Sequence, residues 1–109
     1  MLSVRLGEER IAALLDERLS IAALNSPSLC VVSGPVDAIE ELEKRLERES
    51  VGCKRLRTSH AFHSAMMDPM LDAFEDEVRQ ATLHAPSIPY VSGVTGAWIK
   101  PEEAIAPRY

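Results

Sequence analysis

The sequence predicts an α+β fold: a four-stranded antiparallel sheet with two helices on one face. Two observations predict it. Four short runs read as strands, two of them with the apolar alternation of a half-buried strand, and between the runs two segments change to the three-and-four spacing of an amphipathic helix. Across residues 1–58 the order of these patterns is strand, helix, strand, strand, helix, strand. A third observation bounds the size. The chain has 109 residues, 46 % apolar and 27 % charged, which is material for one core.

The first strand is Met1 to Leu6, with Leu2, Val4 and Leu6 on one face. Gly7 breaks it. Residues 8–18 then place Ile11, Leu14, Leu15 and Arg18 at helical spacing. Leu19 to Leu24 alternates again, with Leu19, Ile21 and Ala23 on one side. Asn25-Ser26-Pro27-Ser28 is turn chemistry. Leu29 to Ser33 completes a hairpin. Ser33-Gly34-Pro35 opens a second helix, with Pro35 at a first-turn position where its missing N–H leaves nothing unpaired. Val36, Ile39, Leu42 and Leu46 form its apolar stripe, and Glu40/Lys44 and Glu41/Arg45 are expected as i,i+4 pairs on the solvent side. The helix ends near Glu49-Ser50, and Val51 to Thr58 is the fourth strand. This βαββαβ order is the split-βαβ, ferredoxin-like pattern, in which the first strand lies between the third and the fourth. Cys30 and Cys53 would then stand two strand spacings apart, about 9–10 Å. That exceeds the roughly 7 Å reach of a disulfide, and both read as small core residues.

Residues 59–109 do not extend this sheet. Asp68-Pro69 begins a helix that runs to about Thr82, with Met70, Leu71, Phe74, Val78 and Ala81 as its expected buried stripe. Pro86 and Pro89 force extended backbone. Tyr90-Val91-Ser92 and Ala97-Trp98-Ile99 read as short strands about a Thr95-Gly96 turn, and Pro101-Glu102-Glu103 as a last helical turn. These elements cannot close a core of their own. They are expected either to pack on the first unit or to belong to a larger domain.

The net charge is −5, from 12 Lys+Arg against 17 Asp+Glu. An acidic balance argues against a nucleic-acid binder. No apolar run approaches the ~20 residues of a membrane span, and the charges at Arg5, Glu8, Glu9 and Arg10 leave no room for a signal-peptide apolar region. Two cysteines make neither a disulfide framework nor a metal spacing, so the expected compartment is reducing cytosol. The basic cluster Lys54, Arg55 and Arg57 reads either as a solvated strand end or as a contact for an acidic partner.

Chemistry concentrates in Thr58-Ser59-His60-Ala61-Phe62-His63-Ser64-Ala65-Met66-Met67-Asp68-Pro69, which joins the fourth strand to the third helix. Functional groups gather in such loops. Either imidazole could simply bond backbone near a helix start. As metal ligands, His60 and His63 would need two more donors. His84 stands alone, and the cysteines lie on strands. As a catalytic base, one His would need a nucleophile within hydrogen-bond reach and a third group to orient it.

T-S-H-A-F-H-S-A-M-M-D-P, preceded by L-S-I-A-A-L-N-S-P-S-L-C-V-V-S-G-P and followed by I-P-Y-V-S-G-V-T-G-A-W-I, resembles the acyltransferase domain of modular type I polyketide synthases. It is similar, more distantly, to malonyl-CoA:acyl carrier protein transacylases. The resemblance covers nearly the whole chain. It implies a ferredoxin-like small subdomain, residues 1–58, inserted in an α/β-hydrolase-like large subdomain to which residues 59–109 return. It implies that His63 is the catalytic base that takes a proton from a Ser nucleophile in a G-H-S-x-G elbow. The Ser would attack the thioester of malonyl-CoA, and the phosphopantetheine thiol of an acyl carrier protein would discharge the acyl-enzyme, with no bound cofactor and no metal. His60, Ala61 and Phe62 complete the H-A-F-H motif that goes with malonyl units. Phe62 would fill the space a 2-methyl group needs, a preference of about 10–200-fold.

The sequence contains no G-H-S-x-G. Ser33 in V-S-G-P and Ser92 in V-S-G-V are not elbows, and at Gly93 the family more often has Asn. The family's malonyl-binding Arg and part of its oxyanion hole lie in segments not found here. The chain therefore reads as a truncated piece whose partners are the missing large subdomain, neighbouring synthase domains and an acyl carrier protein. On its own it is expected to be inactive. The alternative is a non-catalytic ferredoxin-like module that binds a carrier protein through Lys54, Arg55 and Arg57, or a purely structural fragment.

Overall fold

Leu2 and Val4 project from the same side of a three-residue strand and are fully buried, and the first part of the molecule is layered over them. The computed structural model describes residues 1–109. They divide into two compact units, Met1–Pro69 and Met70–Tyr109.

In the first unit β1 (Leu2–Val4) pairs antiparallel with β3 (Leu29–Ser33) on one side and β4 (Cys53–Arg55) on the other, and β2 (Ser20–Ser26) pairs with β3. The strand order is β2-β3-β1-β4, with the first strand between the third and fourth as the pattern requires. Val4 is opposite Cys30 in one neighbour and Cys53 in the other, so the two free thiols flank it with a strand between them. Val32, Ile39, Leu42 and Leu46 close the core against β1. Full burial of a side chain such as Leu46 stabilises by about 1.5–3 kcal/mol.

Both helices of this unit differ in detail from their sequence patterns. α1 (Glu8–Ala12) covers only the first half of residues 8–18. The Asp16 carboxylate accepts the Arg18 N–H at 2.9 Å and also binds the Arg18 guanidinium. This side-chain-to-backbone bond competes with helix, and the last turn tightens through Leu14 N–H to Ile11 C=O at 2.8 Å. Leu14 and Leu15 still pack against the core. α2 (Val36–Arg48) starts one residue late, with Pro35 extended at its N-cap. Val36 is therefore exposed in the first turn, and Ala38 takes its place in the buried stripe. Nor do Glu40 and Glu41 pair with Lys44 and Arg45. Glu40 binds Arg55 at 3.4 Å and Glu41 binds Arg18 at 2.8 Å, because each arginine arrives from another element with a guanidinium already in reach.

Two close passages shape the ends of α2. Before it, a Cβ on Gly34 would stand 2.7 Å from the Arg18 carbonyl oxygen and 2.7 Å from Leu19 Cδ2, so only glycine fits. After it, Ser50 turns left-handed at φ 55°, its N–H reaching Glu47 C=O and that of Val51 reaching Leu46 C=O. This is the paired C-terminal cap usually closed by glycine, and it turns the chain into β4. The extended pairing of β4 covers Cys53–Arg55 rather than residues 51–58.

In the second unit, α3 (Asp68–Arg79) begins at the boundary and ends three residues short of Thr82. Its expected buried stripe is not buried. Met70, Leu71 and Phe74 are exposed, Phe74 at 57 %, and Glu75 is the buried residue. This unit has no sheet on which the stripe could lie. Glu75 is held by Arg79 at 2.5 Å and Arg108 at 2.7 Å. Val91 and Trp98 form an antiparallel bridge about a turn at Gly96, where φ is 67°, and α4 (Pro101–Ala104) is a single turn. No helix is long and apolar enough to cross a membrane.

Candidate active site at the His60–Ser64 loop

The loop that follows β4 lies in the first unit. Ala61 anchors it, 5 % exposed. His60 and Phe62 flank that anchor and are solvent-facing, with ring centroids 6.1 Å apart and planes tilted by 51°. His60 Nδ1 is 3.1 Å from Ser59 Oγ. His63 then adopts the left-handed conformation at φ 59°. Non-glycine residues seldom sit there, although His does so more often than most, and such conformations cluster at functional sites.

Ser64 holds this geometry. Its Oγ donates to the Ala61 carbonyl at 2.5 Å and accepts the Met66 N–H at 3.4 Å. Its own carbonyl accepts the Met67 N–H at 3.0 Å. The hydroxyl thus caps the 3₁₀ turn Ala65–Met67 and closes the loop behind His63. The result is an exposed imidazole on a pinned backbone, with no side-chain hydrogen bond of its own to occupy either nitrogen. That arrangement suits proton transfer to or from a bound group.

The structure brings His60, Ala61, Phe62 and His63 together in this one loop. It does not keep the basic cluster together. Arg55 is bound by Glu40 and Glu43, Lys54 points to the other side of β4, and Arg57 is exposed beyond the strand end. Three or more His, Cys, Asp or Glu side chains do not converge anywhere as a metal site. Ser33 ends β3 fully buried, with a hydroxyl lacking any hydrogen-bond partner. Ser92 Oγ is engaged by Tyr109 Oη at 2.5 Å and by the N–H groups of Val94 and Thr95. One contributor was not singled out from sequence. Ser64 had a readable signal, a serine two residues before the Met66 amide that it caps.

A family profile described as an acyl transferase domain matches residues 1–106. The chain belongs to the acyl transferase domain family. Among curated relatives, it is 36 % identical over 107 residues to a phenolphthiocerol/phthiocerol polyketide synthase of Mycobacterium tuberculosis, covering 98 % of this chain and 7 % of that protein. It is 38 % identical over 112 residues to the polyketide synthase GfsA of Streptomyces halstedii, covering 100 % of this chain and 2 % of that one. Among solved structures, the acyl transferase domain of SpnD in complex with 2-(pent-4-yn-1-yl)malonyl is similar at TM-score 0.89 and 42 % identity, over 97 % of this chain and 26 % of that one. The malonyl CoA-acyl carrier protein transacylase of Burkholderia pseudomallei is similar at TM-score 0.81 and 33 % identity, over 98 % and 39 %. This acyltransferase chain therefore spans a small part of its relatives, and the family match over residues 1–106 takes in the sheet, the His loop and α3.

Proposed function

We propose that the chain is the part of a polyketide synthase acyltransferase that supplies the catalytic base and the acyl-selecting loop. In this reading residues 1–58 are the small subdomain and residues 59–109 are the return into the large one. The observation that carries it is the H-A-F-H loop of an acyltransferase-family chain with His63 exposed and held left-handed. His63 takes the proton of a Ser Oγ supplied by the remainder of the domain. The oxygen attacks the thioester carbonyl of malonyl-CoA, and the CoA sulfur leaves with the proton. The phosphopantetheine thiol of an acyl carrier protein then gives its proton to His63, attacks the ester, and leaves the Ser restored. Malonyl-CoA and the carrier thiol are substrates, and no resident cofactor takes part. His60, Ala61 and Phe62 border the acyl group, and the bulk of Phe62 favours malonyl over methylmalonyl. The chain works in the cytoplasm beside the other domains of its synthase.

Because G-H-S-x-G does not occur in these 109 residues, the isolated chain forms no acyl-enzyme. Intact mass after incubation with malonyl-CoA is expected to show no adduct. The same chain joined to an upstream segment carrying the elbow is expected to gain one malonyl group. His63→Ala should slow that gain by about 10²–10⁴-fold. A stoichiometric adduct on the chain alone, or faster loading of methylmalonyl than malonyl by the joined protein, would overturn this reading.

A further inference from the structure

Two serine hydroxyls close the His60–Ser64 loop, one from each side. Ser64 bonds backbone, at the Ala61 carbonyl and the Met66 N–H, and so fixes where His63 stands. Ser59 bonds a side chain instead. Its Oγ lies 3.1 Å from His60 Nδ1, and the imidazole tautomer decides which atom donates.

Ala61 is buried between two exposed neighbours. Its burial leaves the side chains of His60 and Phe62 facing solvent together, and their rings stand 6.1 Å apart at a tilt of 51°. That separation and tilt fall within the range of a favourable aromatic pair. Phe62 is 41 % exposed and stands outside the core cluster, so packing in the interior does not fix its ring. An exposed imidazole is no better fixed on its own, because the torsion that turns its ring is broad and roughly two-fold. The Ser59 bond removes that freedom. It selects the orientation in which Nδ1 faces Ser59, and the ring so held is the aromatic neighbour of Phe62.

We propose that Ser59 is a positioning residue for acyl selection, acting through His60 on the ring of Phe62. This role rests on the reading above, in which Phe62 borders the acyl group and disfavours a 2-methyl substituent. A ring held in one place excludes that methyl more completely than a ring free to swing aside. Ser59 therefore sets how sharply the loop selects, whereas Ser64 sets where the base stands.

The test offers malonyl-CoA and methylmalonyl-CoA as competing substrates to the chain joined to an upstream segment carrying the elbow, with intact mass as the readout. Ser59→Ala should narrow the malonyl preference by about two- to fivefold. Ser59→Thr keeps a hydroxyl at the same place and should hold the preference within about twofold of wild type. In the 109-residue chain, NMR should show a cross-relaxation contact between the His60 and Phe62 rings, weakened in Ser59→Ala and retained in Ser59→Thr. Ser59 is exposed, so neither substitution opens the core. A malonyl preference unchanged by Ser59→Ala, or a threonine variant that selects as poorly as alanine, would overturn the role of Ser59 and leave the malonyl reading standing. A ring contact that persists at full strength in Ser59→Ala would overturn it too, because Phe62 would then be held without the Ser59 bond. Faster loading of methylmalonyl by the wild-type joined protein would remove the malonyl reading itself, and the role of Ser59 with it.

Discussion

Replacing Ser64 with alanine removes two hydrogen bonds behind His63, those to the Ala61 carbonyl and the Met66 N–H. The donation to the Ala61 carbonyl, 2.5 Å in a part-buried site, contributes about 1 kcal/mol. The cap on the Met66 N–H is long at 3.4 Å and belongs at the low end for such caps, about 0.5 kcal/mol. Together they favour the closed loop by about 1.5 kcal/mol, roughly a tenfold population ratio. Against them stands the left-handed backbone of His63, which costs about 1–2 kcal/mol in an L-residue. The two terms are comparable, so Ser64→Ala should let the loop relax. Native-state amide exchange reads this directly. The Met66 amide should exchange about tenfold faster, while the Val32 amide in the sheet should keep its rate. Ser64→Thr retains the hydroxyl and should restore protection. On the function proposed above, the same alanine variant in a completed acyltransferase domain should lower kcat, because relaxation of the loop carries His63 away from the serine it would serve. An unchanged Met66 exchange rate, or a threonine variant as poor as alanine, would refute the argument that Ser64 positions His63.

Two further outcomes follow from the first unit. Leu46 is fully buried where α2 meets the sheet, so Leu46→Ala should destabilise the chain by about 2–5 kcal/mol in urea unfolding; a loss below about 1 kcal/mol would mean that the site collapses freely. The Arg18 hydrogen bonds hold the Asp16 carboxyl below the usual Asp range. A depressed folded value stabilises the native state at pH above the unfolded value of about 3.9, and that contribution is lost as pH falls through the folded value. Asp16→Asn should therefore flatten the acid limb of the stability profile below about pH 4, and parallel profiles for the two proteins would contradict it.

The sheet was legible because its determinants are local. The period of two in residues 1–6 and 19–24, the compact apolar run 29–33, the Pro27-Ser28 turn and the apolar stripe of α2 all repeat the same message. What sequence reading missed depends on partners distant in the chain. Glu40 and Glu41 have lysine and arginine four residues on, yet they turn to Arg55 and Arg18, which only the folded sheet brings close. Residues 13–18 carry a helical pattern, but the Asp16 carboxylate takes the Arg18 amide and ends the helix early. The stripe on α3 has the right spacing to be buried, and spacing says nothing about whether a second layer stands over it. In the loop, the residue types of His60, Phe62 and His63 marked the place. The left-handed turn at His63 did not show, because no glycine marks it. It is imposed by the Ser64 bonds on either side.

The placement of the two thiols has a consequence for how the unit comes apart. Cys30 lies in an inner strand, fully buried, and burial pushes its thiol up from the ordinary value. Cys53 lies in the edge strand and is half-buried. Its thiol is pushed up by burial first and then by Glu43 and Glu47. With β1 between them they cannot oxidise to each other in the native state, so neither reports on the other. Detachment of β4 alone bares Cys53, whereas Cys30 becomes reactive only when the centre of the sheet opens. The order in which an alkylating reagent finds the two sulfurs is thus a record of whether the structure peels from its edge or melts as a whole.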